Sequence, residues 1–166
     1  MTGTLNDRAE RVLKLAQARR MTIATVESCT AGALAHLLSQ PEGAAQTLHG
    51  GFIVYTKENK TAAVGVPKEL LTAHTAVSAE VAQAMATGGL ARCPADVVVA
   101  ITGVAGPEPD EDGNPVGLVY VAVAARDGRV RAERHAFENQ GRDEICEAAM
   151  GAALRLLEEL LTAQVP

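Results

Sequence analysis

Short apolar runs alternate with longer amphipathic ones along the chain. Thr4 and Asp7 form a capping-box signature, with Asp in place of the usual Glu, that predicts a helix through Arg19. Leu5, Val12, Leu13 and Ala16 fall on its apolar side. Residues 22–26 are short, β-branched and apolar, the pattern of a buried strand. Glu27, Ser28, Cys29 and Thr30 are small or polar, and a helical pattern follows over residues 31–38 until Pro41, Glu42 and Gly43 break it. Residues 50–56 predict a second strand that begins with a glycine pair. Residues 57–63 predict a short helix closed by Gly65 and Pro67, and residues 68–73 another. Ser78 caps a helix through Arg92, and residues 96–102 form a continuous apolar run, as in a central strand buried on both faces. Residues 118–125 and 130–137 flank Asp127-Gly128, a strong hairpin signal. Gly141 opens a final helix with Ile145, Ala149, Ala152, Leu156 and Leu160 on one face.

This alternation, with one antiparallel hairpin near the end, predicts a three-layer α/β/α domain built on a mixed sheet. No repeat, low-complexity segment or linker divides the 166 residues, which read as a single domain, 1–166, with room for a full core.

Composition narrows the function classes. Apolar residues make up 48% of the chain but aromatics only 2%, which suits small-residue packing of helices on a sheet and not a base-stacking surface. A net charge of −5 without a basic cluster argues against nucleic acid and anionic membranes as partners. Cys29, Cys93 and Cys146 are odd in number and widely spaced, as reduced cytosolic thiols would be. There is no CxxC or HxxxH pair, and His36, His49, His74 and His135 are scattered, so no metal site is expected. No signal-peptide core and no apolar run of membrane-spanning length is present, and a soluble, cytoplasmic protein is the expectation.

Three strand ends compete for the chemistry. The first carries Ser28 on a strand-to-helix turn, where helix amides attract developing negative charge. The second carries Tyr55, with Lys60 five residues on, and the third carries Thr102, then Gly103 and Gly106. If these strands are parallel neighbours, all three ends face one cleft. The set lacks histidine, so a Ser-His-Asp triad is unsupported. It does suit a serine nucleophile activated by a lysine whose pKa is lowered by burial or a nearby cation. Tyr55 would relay a proton, and loop amides would hold an oxyanion. Taken singly, each residue has a plainer reading. Lys60 is then a solvated helix lysine, Tyr55 an ordinary strand residue and Thr102 a partner for local backbone. Composition and spacing alone leave an α/β hydrolytic or phosphate-binding domain.

The motifs taken together carry the reading further. ESCTAG at 27–32, GGFIVYTKENK at 50–60, HTAVSAEVAQAMA at 74–86, and TGVAGP with PVGLVYVAV at 102–123 occur in the order seen in one family. They resemble the C-terminal domain of the competence-damage-inducible protein CinA, a family that includes the PncC-type nicotinamide mononucleotide amidohydrolases. The resemblance covers nearly the whole chain. It implies a mixed, mainly parallel five-stranded sheet, and an amidohydrolase of pyridine-nucleotide salvage that acts without a cofactor and is commonly a homo-oligomer. The family's serine, tyrosine, lysine and threonine fall on Ser28, Tyr55, Lys60 and Thr102. Its motifs also imply that Thr30, Gly32, Gly103 and Gly106 bind substrate.

Two departures stand out. The family usually has ESCTGG, and Ala31 replaces the first glycine; alanine would hinder a turn that needs positive φ there. The loop after TGVAGP is usually rich in Gly and Ser and ends in KPVG. Here it carries Glu108, Asp110, Glu111 and Asp112, with Asn114 in the lysine position. As a solvated charge run, this loop would repel a phosphate-bearing substrate and weaken its binding without touching the chemical step. These departures keep a divergent, non-catalytic nucleotide-binding or interaction paralogue as the alternative function. A third possibility gives the chemistry to Cys29, intrinsically the better nucleophile.

Overall fold

The computed structural model describes residues 3–163. Thr4 opens α1 (Leu5–Ala18) with the expected capping box, its hydroxyl accepting from the Asp7 amide while the Asp7 carboxylate accepts from the Thr4 amide. Then come β1 (Ile23–Glu27), α2 (Ala33–Ser39), the single turn α3 (Ala44–Thr47) and β2 (Leu48–Ile53). Three helices follow, α4 (Lys57–Val64), α5 (Lys68–His74) and α6 (Ala79–Arg92). The chain ends in β3 (Val97–Gly103), β4 (Leu118–Ala125), β5 (Val130–Ala136) and α7 (Arg142–Thr162).

The strands lie in the order β2-β1-β3-β4-β5. β1 runs parallel to β2 and β3, whereas β4 is antiparallel to both β3 and β5, so only β4 opposes the rest. This is the mixed, mainly parallel five-stranded sheet of an α/β fold.

Side chains leave β3 alternately, and each set enters a different core. Val97, Val99 and Ile101 pack with α1, α2 and α7, including Leu13, Leu34 and Leu157. Val98 and Ala100 pack with α4, α5 and α6, including Val64, Leu71 and Met85. A strand buried on both faces is therefore apolar at every position from Val97 to Ile101, as its sequence is.

From β1 the chain steps outward to β2, then crosses to β3 on the opposite side of β1. The connections diverge at this point and leave a crevice at the carboxyl ends of β1, β2 and β3. Glu27 pairs there with Ile53 on one side and Ile101 on the other.

Three local differences separate the structure from the sequence pattern. β2 starts two residues early and stops at Ile53, because Thr56 caps α4 by accepting from the Asn59 amide and so bends the chain out of the sheet. Of its two glycines, Gly51 has a packing reason. A Cβ on Gly51 would lie 2.2 Å from the Thr25 hydroxyl, so only glycine lets β2 lie against that side chain. α2 starts at Ala33 because Ala31 (φ 49°) and Gly32 (φ 98°) are left-handed. The third difference is α3, which follows a left-handed Gly43 and carries no sequence periodicity in its four residues. Among the described residues, no helix is long and apolar enough to cross a membrane.

Candidate active site

Ser28 is the first residue past β1 and its amide donates to the Ile101 carbonyl of β3, which fixes this turn to the central strand. Lys60 enters from the opposite layer. It lies one turn from Val64 on the buried face of α4, and its side chain is only 2% exposed. Its Nζ is 2.9 Å from Ser28 Oγ, 2.9 Å from the Val54 carbonyl and 3.4 Å from the Tyr55 carbonyl.

Burial lowers the Lys60 pKa from 10.5 to about 8, and Lys57 adds to the fall while Cys29 opposes it. Nζ donates to all three of these acceptors as the ammonium. Once neutral, the amine keeps two hydrogens for the two carbonyls, and its lone pair can accept from the Ser28 hydroxyl. A solvated surface role for Lys60 is excluded by this burial.

Ser28 and Lys60 line a cavity of about 460 Å³, within the usual size range for small-ligand sites. Tyr55, Thr102, Gly103 and Gly106 line it as well, so three strand ends do converge. Tyr55 is 55% exposed and its hydroxyl accepts from the Arg142 guanidinium at 3.1 Å. The Thr102 hydroxyl instead donates to the Ala76 carbonyl at 2.7 Å, which ties β3 to the segment before α6.

Thr30 and Gly32 do not reach the cavity. The Thr30 hydroxyl and the Gly32 amide both donate to the carboxylate of Glu27, at 2.7 and 3.1 Å. The Leu34 and Ala35 amides at the head of α2 do the same, so these helix amides are occupied and do not aim at a substrate. Cys29 lines the cavity, but burial, with Cys146 next, pushes its thiol up to about 12. A protonated thiol is a poor nucleophile, which weighs against Cys29 as the reacting group.

The acidic loop is not a free charge run. Asp110 accepts from the Asp112 and Asn114 amides and from the Asn114 side chain, which also donates to the Thr75 hydroxyl. Glu111 and Asp112 pair with Lys57 at 2.9 and 2.8 Å, and Asp112 accepts from the Ala76 amide. Asp112, and then Glu111, raise the Lys57 pKa by accepting its hydrogen bonds.

Lys57 and Arg142 are the cavity's further cations, and the sequence reading overlooked both. Each is the first residue of its helix, where the macrodipole disfavours a cation. That mismatch is a signal the sequence does carry. Among the described residues, no group of three or more His, Cys, Asp or Glu side chains is arranged to hold a metal.

A family model described as the CinA C-terminal domain matches residues 5–161. A CinA-like protein of Synechococcus sp. (strain RCC307) is 42% identical over 146 residues, covering 88% of this chain and 35% of the relative. A putative competence-damage inducible protein of Moorella thermoacetica is 40% identical over 98% of this chain and 39% of its own length. The chain thus spans well under half the length of these curated relatives. A crystal structure of the competence/damage inducible protein CihA from Agrobacterium tumefaciens superposes with a TM-score of 0.92 at 36% identity, covering 98% of both chains. One of ComA from Klebsiella pneumoniae gives a TM-score of 0.92 at 33% identity, over 98% of this chain and 100% of that one. With its fold, its nearly full-length family match and these relatives in agreement, the chain belongs to the CinA C-terminal domain family.

Proposed function

We propose that this protein is an amidohydrolase that converts nicotinamide mononucleotide to nicotinate mononucleotide and ammonia. One observation carries the reading: the buried Lys60 amine, with a pKa lowered toward neutrality, 2.9 Å from Ser28 Oγ on the wall of a cavity. An unassisted serine is a weak nucleophile, and a neutral lysine at this distance is the base that it needs.

In this scheme Ser28 Oγ bonds to the carboxamide carbon while Lys60 takes the hydroxyl proton. The carbonyl oxygen carries the negative charge of the tetrahedral intermediate. Ala105 and Gly106 line the cavity, their amides donate to no other group among the described residues, and they are the candidate donors to that oxygen. Lys60 returns its proton to the departing nitrogen, the C–N bond breaks and ammonia leaves an acyl-Ser28 ester. Water then attacks the ester with Lys60 again as base, which releases the carboxylate and restores the serine. Lys57 and Arg142 are the cations available to the substrate phosphate.

Ala31, the departure closest to Ser28, adopts the left-handed conformation and leaves the Ser28–Lys60 contact at 2.9 Å. This favours the hydrolase over a non-catalytic paralogue. The test is ammonia release from nicotinamide mononucleotide by the purified protein, alongside Ser28→Ala. Turnover by the wild type and its near-complete loss in a folded Ser28→Ala protein is the expected result. No ammonia from a folded wild-type protein would sink the proposal, and equal turnover by Ser28→Ala would remove the serine from it.

A further inference from the structure

We infer that Glu27 is the positioning residue of this site, a buried carboxylate that folds the Ser28 turn around itself and aims the hydroxyl at Lys60. The inference rests on the serine–lysine reading and adds a residue to it.

Glu27 ends β1, and period-two alternation puts its side chain on the same face as Thr25. It is 1% exposed, and no cation pairs with it among the described residues. Burying a lone carboxylate is costly unless hydrogen bonds replace the lost water. Five do. Oε1 accepts from the Thr25 hydroxyl at 3.0 Å and the Ala35 amide at 2.8 Å. Oε2 accepts from the Thr30 hydroxyl at 2.7 Å, the Gly32 amide at 3.1 Å and the Leu34 amide at 3.0 Å. Three of these partners are backbone N–H groups that can only donate, a pattern that fits an acceptor-only carboxylate.

The order of the residues gives this cluster its consequence. Glu27 immediately precedes the nucleophile, and four of its five donors lie within the eight residues that follow it. The carboxylate therefore pins the far end of the turn to the residue before Ser28. It also holds the segment in which Ala31 takes its positive φ. Bonds from Ala31 to the Ser28 carbonyl and from Ala33 to the Thr30 carbonyl complete the loop. Ser28 is thereby fixed from behind, and its hydroxyl faces Lys60 Nζ from across the sheet edge. A full deletion such as Glu27→Ala would orphan five donors and could cost the fold, so the test uses milder changes.

Thr25 and Thr30 each give one hydroxyl bond to the same carboxylate, but only Thr30 belongs to the turn. The probe is an alkyl fluorophosphonate, which reports the competence of Ser28 whatever the natural substrate is. Thr30→Val should slow labelling of Ser28 roughly tenfold or more, since small misplacements of reacting groups carry large kinetic penalties. Thr30→Ser should restore the rate, and Thr25→Val should label within about twofold of wild type at a similar loss of melting temperature. Equal labelling of Thr30→Val and Thr25→Val, or a Thr30→Ser variant as slow as Thr30→Val, overturns the inference. A wild type that labels but releases no ammonia from nicotinamide mononucleotide would refute the proposed substrate and leave Glu27's role to stand. A wild type that does not label at all would remove the serine–lysine premise and this inference with it.

Discussion

Lys60 Nζ sits 2.9 Å from Ser28 Oγ, and no carboxylate pairs with that lysine among the described residues. Its nearest acceptors are the hydroxyl and two backbone carbonyls, all uncharged. A buried ammonium without a counter-ion is poorly solvated, so the neutral amine gains, and that is the form a general base requires.

Two pH dependences follow from this setting. The proposed reaction needs neutral Lys60, so kcat/KM should rise with pH and level off above about 8. Stability carries the same sign over a different window. The unfolded chain holds the lysine proton up to 10.5 and the folded chain only up to about 8. Between those values the unfolded state binds more protons, and folding becomes more favourable as pH rises. Lys60→Met removes the group, so the stability of wild type minus that of Lys60→Met should grow from pH 8 to 10.5, by up to the order of 3 kcal/mol. Paired chemical-denaturation curves across that range measure it. The same variant should lose roughly 10²–10⁴ in kcat. A flat stability difference would mean that the lysine titrates as a solvated one.

Ala31 offers a separate test of the turn. A left-handed conformation costs a non-glycine residue about 1–2 kcal/mol, and glycine escapes it at the expense of a more flexible unfolded chain. Ala31→Gly should therefore raise stability by up to about 1 kcal/mol, a gain of roughly 2–4 °C in melting temperature for a chain of this size. If the Glu27 bonds already hold the turn in place, kcat should stay within about twofold. A scanning-calorimetry trace with an unchanged or lowered melting temperature would mean that the φ of 49° carries no strain.

The larger features of the fold could be read from the sequence because each rests on local or periodic signals. The Thr4 and Ser78 caps, the doubly buried β3 and the Asp127-Gly128 hairpin all form where their residues predict. Ser28 and Lys60 could be nominated because strand ends collect at one sheet edge. What escaped depends on contacts distant in sequence or on side-chain direction. Thr30 and Gly32 lie beside Ser28 in the chain, yet they turn toward Glu27, because a buried carboxylate draws in whatever donors it can reach. Thr102 likewise turns to the Ala76 carbonyl. The acidic loop looked like a solvated charge run because its partners Lys57, Thr75 and Ala76 come from elements some 35–55 positions earlier.

Those partners change what the loop should do. Repulsion of a phosphate by four free carboxylates would make them interchangeable, but their bonds are unequal. Glu111 has a side chain that is 74% exposed and, among the described residues, pairs only with Lys57, so it competes directly with any substrate anion for that cation. Glu111→Gln should lower KM for nicotinamide mononucleotide at low salt by no more than about fivefold, the span of an exposed ion pair, and leave kcat unchanged. The gain should shrink as salt rises. Asp110 is the hub of the turn, accepting from two amides and the Asn114 side chain. Asp110→Asn should lower stability by about 1 kcal/mol and raise KM, because the loop that brings Asp112 to Lys57 and Ala76 loses its frame. Steady-state kinetics at two salt concentrations and a melting curve for each variant separate these effects. If both variants lower KM equally at unchanged stability, the loop acts through its charge alone and the bonds of Asp110 are incidental.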